Sequence, residues 1–188
     1  DAVLLQDVAK FESIFYGEIY WSGDGREIVY SHGENGENMS VWHVLSGEID
    51  AIQDVPKYNF KVSWSPDDSV VVSIPAGNKE LYVFDVSSYS KKRVITIQHT
   101  EYSAFEVSSV KWSCDSKIIS VITRDSDLRL FDVSSGQLLF VCSGLEVNED
   151  YMSDSSTEYA QMSWNPKVGG RLAFTLKEKT VRVIDISC

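Results

Sequence analysis

Four times along this chain a short apolar alternation ends in tryptophan, turns on a Ser/Asp/Gly-rich tetrad or a comparable Pro/Gly turn, and continues into two further apolar runs. The tryptophans are Trp21, Trp64, Trp112 and Trp164. The third run of each unit closes at Trp42, Phe84, Phe131 and Ile184, which lie 21, 20, 19 and 20 residues further on. So regular a period marks a repeat architecture and outweighs any single motif. The fullest copy is Ser109–Gly136, SVKWSCDSKIISVITRDSDLRLFDVSSG.

Each unit predicts three short strands joined by tight hairpins. In the first, Ser22-Gly23-Asp24-Gly25 brings glycine to a turn that needs positive φ. In the second, Pro66 presets φ in the turn Ser65-Pro66-Asp67-Asp68, and the Asp side chains are placed to bond nearby amides. Val70–Ile74 is a nearly unbroken apolar run, as expected of a strand covered on both faces. A further run after each of the first three closing turns supplies an outer strand. The spacing assigns the units to about residues 10–53, 57–98, 104–143 and 159–188. The last unit leaves no room for its outer strand, and residues 2–9, AVLLQDVA, are read as the strand that fills this gap. Residues 144–158 break the rhythm. They hold Glu146, Glu149, Asp150, Asp154 and Glu158 with no basic residue, a composition too polar to offset its own ordering entropy, so a mobile acidic insertion is expected there. Its serines and Thr157 leave open a phosphorylation-tuned docking loop beside a plain solvated linker.

One four-stranded sheet of such short strands has too little core to stand alone. Stacked face to face around an axis, several such sheets bury both faces and keep only short outer edges. The expected fold class is therefore all-β, a set of β-propeller blades. Two closures fit the repeat count, a small closed ring or part of a larger propeller. Trp21, Trp64, Trp112 and Trp164 are read as inter-blade packing residues, because an aromatic recurring at equivalent positions is what a repeated core demands.

The repeats resemble the WD40 family. The likeness covers nearly the whole chain and is strongest in Ser109–Gly136, through the Ser-x-Asp turn, the Arg124-Asp125 loop and the closing Phe131-Asp132. The closing pair recurs as Phe84-Asp85 and Ile184-Asp185, whereas the first repeat carries Trp42-His43. Members of the family often pin a blade with a chain from His through Asp and Ser/Thr to Trp. The resemblance maps this onto His99, Asp125 and Thr123, with Phe131 where the indole donor would stand, so the pin is truncated. Asn78 and Glu178 occupy the Asp position in two other repeats, and hydrophobic packing is expected to hold those blades. The resemblance also implies that the residue before the loop Asp points into a binding platform, which gives Arg124, Lys177 and Gly77. Tyr58 and Tyr102, leading into inner strands, join them as partner-binding candidates, since Arg and Tyr are favoured interface anchors.

Composition narrows the function. A net charge of −11 disfavours a nucleic-acid partner, whose phosphates draw on clustered Lys and Arg. The basic cluster Lys91-Lys92-Arg93 is read as a charged outer-strand edge. Cys114, Cys142 and Cys188 form no CxxC pair, which points to a reducing, intracellular setting, cytoplasmic or nuclear. No apolar run is long enough for a membrane-spanning helix. There is no GxSxG elbow, P-loop or dinucleotide fingerprint, and no cofactor is expected. His32 and His43 flank one hairpin, with no Cys or Asp completing a metal set. The resulting expectation is a non-enzymatic scaffold that binds a protein or peptide, including another half-propeller or a second copy. The alternative is a propeller of the TolB or prolyl-oligopeptidase type, an envelope protein or substrate gate, which YWSGDGREIVYS is similar to.

Overall fold

The computed structural model describes residues 19–75, 79–97, 107–123, 127–143, 145, 161–176 and 180–186. Among them every regular element is a β-strand, and no helix is long and apolar enough to cross a membrane. The strands fall into four antiparallel sheets, each built from strands consecutive in sequence. Blade 1 comprises β1 (Ile19–Trp21), β2 (Glu27–His32), β3 (Asn38–His43) and β4 (Ile49–Ala51). Blade 2 holds β5 (Asn59–Trp64), β6 (Val70–Pro75), β7 (Glu80–Asp85) and β8 (Ser90–Thr96). Blade 3 holds β9 (Val107–Trp112), β10 (Ile118–Thr123), β11 (Leu128–Asp132) and β12 (Leu138–Cys142). Blade 4 has three described strands, β13 (Met162–Trp164), β14 (Arg171–Leu176) and β15 (Thr180–Asp185). The closing strand expected at residues 2–9 lies outside the described residues.

The turn after each inner strand is set by local chemistry. In the first three blades the serine after the tryptophan bonds the Asp two residues on, at 2.8 Å for Ser22, 2.6 Å for Ser65 and 2.7 Å for Ser113. The same hydroxyl accepts the amide five residues ahead, from Glu27, Val70 and Ile118, and so fixes where the next strand begins. The fourth turn position is left-handed in all three, at Gly25 (φ 71°), Asp68 (φ 57°) and Ser116 (φ 62°). Register follows from these turns: each tryptophan pairs across from an aliphatic residue, Ile28, Val71, Ile119 or Leu172. Bulges at Val83/Phe84 and Leu130/Phe131 increase the local twist on the outer side of blades 2 and 3.

Three hydrophobic clusters join consecutive blades. Val29, Met39 and Val41 of blade 1 meet Val62, Trp64 and Phe84 of blade 2. Val72, Leu81 and Val83 of blade 2 meet Trp112, Ile119 and Phe131 of blade 3. Leu128 and Leu130 of blade 3 meet Met162, Trp164, Leu172 and Phe174 of blade 4. Each such fully buried side chain contributes about 1.5–3 kcal/mol relative to exposure. The central strands β6 and β10 are buried at every described position, which is why their sequences lack a polar alternation. Leu145, placed by sequence in the acidic insertion, is buried in the cluster joining blades 3 and 4, and residues 146–158 lie outside the described residues.

Candidate interaction surface

The two ends of the blades differ in character. One end, the turn end, carries the hairpins after the inner strands together with the closing turns, and there neighbouring blades are tied by polar contacts. Asp68 of blade 2 accepts the amides of Gly23 at 2.5 Å and Asp24 at 2.9 Å in the blade 1 turn. Ser116 of blade 3 repeats the contact by accepting the Asp67 amide at 3.1 Å. Arg93, from the basic cluster on β8, donates to the Ser135 carbonyl of blade 3 at 2.9 Å, and Lys92 pairs with Asp85 at 3.3 Å.

His43 stands where blades 2 and 3 carry Asp85 and Asp132, and it organises a cluster of its own. Its Nδ1 lies 3.0 Å from Glu27 and its Nε2 lies 2.8 Å from Asp50 and 3.0 Å from the Tyr89 hydroxyl. Tyr89 occupies the closing-turn position that is glycine at Gly47 and Gly136, and accepts φ 49° there. Its phenol is pushed up to about 12 by burial first and then by the charges of Asp50 and Glu27. His32 bonds Ser40 at 3.0 Å at the opposite end of the same blade. It pairs with Asn38, at the start of β3, while His43 ends that strand, so about 17 Å of strand separates the two histidines. They do not share a metal. No cluster of metal-ligating side chains occurs among the described residues.

The other end carries the loops that the sequence reading assigns to the platform. Tyr58 is 47% exposed and held at φ 63°, with its amide bonded to the Asn35 carbonyl of the blade 1 hairpin at 2.7 Å. A tyrosine in the left-handed region is uncommon, and here the backbone bond to Asn35 fixes it. Glu37 beside it is held below the usual carboxylate range, chiefly by the Asn35 amide and also by Lys57 and His32. Burial lowers the His32 imidazole. Behind this rim, Tyr20, Lys61, Ser63, Ser109, Lys111 and Trp112 line a pocket of about 280 Å³ between the inner strands β1, β5 and β9. Arg124, Lys177, Tyr102 and Gly77 lie outside the described residues, as do His99 and Asp125 of the expected pin.

Thr123, the described member of that pin, is engaged by a residue the sequence reading passed over. Arg129 lies buried in mid-β11 and donates to Thr123 Oγ1 at 2.9 Å and to Asp127 at 2.7 Å. The signal was present in Asp-Leu-Arg-Leu-Phe, a charged residue inside an apolar strand with a carboxylate two positions before it. Polar ties of a second kind come from the tryptophans. Trp64 Nε1 donates to the Tyr20 carbonyl of blade 1 at 3.1 Å, and Trp164 Nε1 to the buried Ser120 hydroxyl of blade 3 at 2.9 Å. Trp112 Nε1 is buried without a partner among the described residues. Trp21 is 56% exposed, whereas Trp42, which shares its face of blade 1 through Ile28, is 9% exposed.

The family model described as the anaphase-promoting complex subunit 4 WD40 domain matches residues 62–148. No curated protein matches the chain. Consecutive antiparallel sheets, packed face to face with a repeated tryptophan at the interface, fit WD40-type β-propeller blades, and the family match spans residues 62–148 of the chain.

Proposed function

We propose that the chain is a non-enzymatic scaffold within an intracellular multiprotein assembly, cytoplasmic or nuclear, and that it holds a protein or peptide partner on the loop end of its blades. WD40 domains serve in general as platforms for protein interaction, and the matched family is named for a subunit of a large complex. One observation carries the placement: Tyr58 presents an exposed ring from a backbone fixed in a costly conformation, and strained residues of this kind collect where a structure is shaped for binding. Tyrosine supplies large contact area at small entropic cost and is enriched among interface anchors. Arg124 and Lys177, implied by the family resemblance, and Tyr102, leading into an inner strand as Tyr58 does, are its companions, and the net charge of −11 favours a partner surface with basic groups.

The test is affinity capture from cells with the wild-type chain, Tyr58→Ala, Arg124→Ala and, as a remote control, Leu45→Ser at the turn end. The reading expects partners retained by wild type and the control to be lost from Tyr58→Ala and reduced with Arg124→Ala. Retention of the same partners by all four chains places binding elsewhere.

A further inference from the structure

We infer that the groove between blades 2 and 3 at the turn end binds an acidic peptide segment of a partner protein. Its walls come from both blades, Ser69, Lys92 and Arg93 on one side and Lys117, Asp132 and Ser134 on the other, around a volume of about 390 Å³. Tertiary structure brings the cations there. In a regular strand Lys92 and Arg93 would point to opposite faces of β8. A bulge intervenes: Val83 pairs with Arg93 and Phe84 with Lys91, so Lys92 is the extra residue, and both it and Arg93 line the groove. Lys117 then arrives from the hairpin that precedes β10 in the next blade.

The charge is particular to this junction. Arg93 pairs with Val83, the residue before the closing aromatic of its blade, and the counterparts that pair with Val41 and Leu130 are Asp50 and Phe140. A chain of net charge −11 thus gathers three cations around one groove, where the neighbouring blades place a carboxylate and a phenyl ring at the position of Arg93. Lys92 lies 3.3 Å from Asp85 with its side chain 55% exposed, and Arg93 is braced by a bond from Nη1 to the Ser135 carbonyl at 2.9 Å. Lys117 has no ion-pair partner among the described residues. Asp132, the carboxylate on the wall, accepts the Ser134 and Ser135 hydroxyls on one oxygen at 2.7 and 2.6 Å. Each cation can pair with a carboxylate, and the guanidinium fork matches one in geometry. Three cations spread over two blades, with Asp132 among them, suit single negative charges spaced along an extended chain. A concentrated dianion would meet the charge of Asp132 together with that of the lysines. The acidic remainder of the surface repels such a segment, which confines it to the groove. The groove lies at the opposite end of the blades from Tyr58, so one scaffold can hold two partners at once.

Fluorescence anisotropy on the whole chain tests this, with a labelled hexaglutamate peptide, a hexaglutamine peptide and a phosphoserine peptide with neutral flanks. The wild type is expected to bind hexaglutamate and not hexaglutamine, and to bind it less tightly as salt rises. Lys92→Glu and Lys117→Glu are each expected to weaken binding about tenfold or more, the loss of one charge-assisted bond. Lys91→Glu makes the same change of net charge on the same strand but outside the wall of the groove, and is expected to stay within about twofold of wild type. Circular dichroism checks that each variant folds. Tyr58→Ala should bind hexaglutamate as the wild type does, which separates this groove from the partner proposed for the loop end. A wild-type chain that ignores hexaglutamate overturns the inference, as does an equal loss in Lys91→Glu or binding of the phosphoserine peptide alone. Loss of hexaglutamate binding in Tyr58→Ala overturns it too, by moving the site to the loop end.

Discussion

Ser120→Ala is the sharpest probe of how the blades are held. The Ser120 side chain is fully buried, donates to the Lys111 carbonyl at 3.0 Å, and accepts the Trp164 indole across the junction of blades 3 and 4 at 2.9 Å. Alanine fits the space but leaves the indole N–H buried without an acceptor. An orphaned buried donor costs about 1–3 kcal/mol, so a loss near 2 kcal/mol is expected. In a chain of 188 residues that lowers the thermal midpoint by about 4–8 °C. Thermal unfolding followed by far-ultraviolet circular dichroism reads the change, with Trp164→Phe and the double variant completing a cycle. Trp164→Phe alone removes the donor as well as part of the ring, so the double variant should be less destabilised than the sum, with a coupling of about 1–2 kcal/mol. Trp112 provides the contrast. Its indole nitrogen has no partner among the described residues, so Trp112→Phe should cost about 1 kcal/mol less than Trp164→Phe at similar burial. Equal costs for the two substitutions, or strict additivity of Ser120→Ala with Trp164→Phe, would refute the reasoning that the bond contributes to the junction.

Further predictions follow the same logic. Asp68→Ala removes both acceptors of the blade 1 turn and leaves a β-carbon at φ 57°, for a loss of about 1–2 kcal/mol in urea titration, whereas Asp68→Gly relieves the backbone and should lose less. Asp127→Ala withdraws one charged partner from the buried Arg129 and should cost about 1.5–3 kcal/mol, with Asp127→Ala/Arg129→Met recovering part of it. Against burial, which pushes Asp67 upward, the bonds from Ser65 and Ser69 hold its carboxyl below the usual 3.8, and bonds from Ser87 to Asp85 and from Ser134 and Ser135 to Asp132 hold those carboxyls below it too. Groups with folded values below their unfolded ones stabilise fully above 3.8 and lose that contribution as pH falls through the folded values, so the thermal midpoint should drop steeply below about pH 4. Tyr89 is displaced upward, from 10.0 to about 12, so its contribution is complete below pH 10 and is lost as pH rises through 12. Titration of the phenolate absorbance in the wild type and Tyr89→Phe should differ by one tyrosine ionising in that window, and an unchanged profile would remove the His43 cluster as its cause.

Much of the architecture was legible in the chain because its determinants are local. Alternation with a period of two, and Ser-x-Asp turns whose bonds span two and five residues, are enough to place strands and register, and they recur in every blade but the last. Arg93 was correctly placed on an outer edge, although its bond to Ser135 gives it a junction role as well. The platform was legible only as an assignment of loops, with Tyr58 the candidate whose backbone and exposure the structure supplies.

The sequence by itself determined that this chain is all-β, where its hairpins turn and which residues are equivalent between repeats. Tertiary structure alone decided what those equivalent residues do. Four tryptophans sit in one motif, yet one donates to a carbonyl and another to a hydroxyl, each partner 44 residues earlier in the chain, a third has no partner among the described residues, and Trp21 is exposed. Leu130 and Val183 hold one register position and are 0% and 60% exposed. A strand's conformation depends on its neighbours along the chain, whereas burial depends on which blade faces it, and no local pattern encodes that.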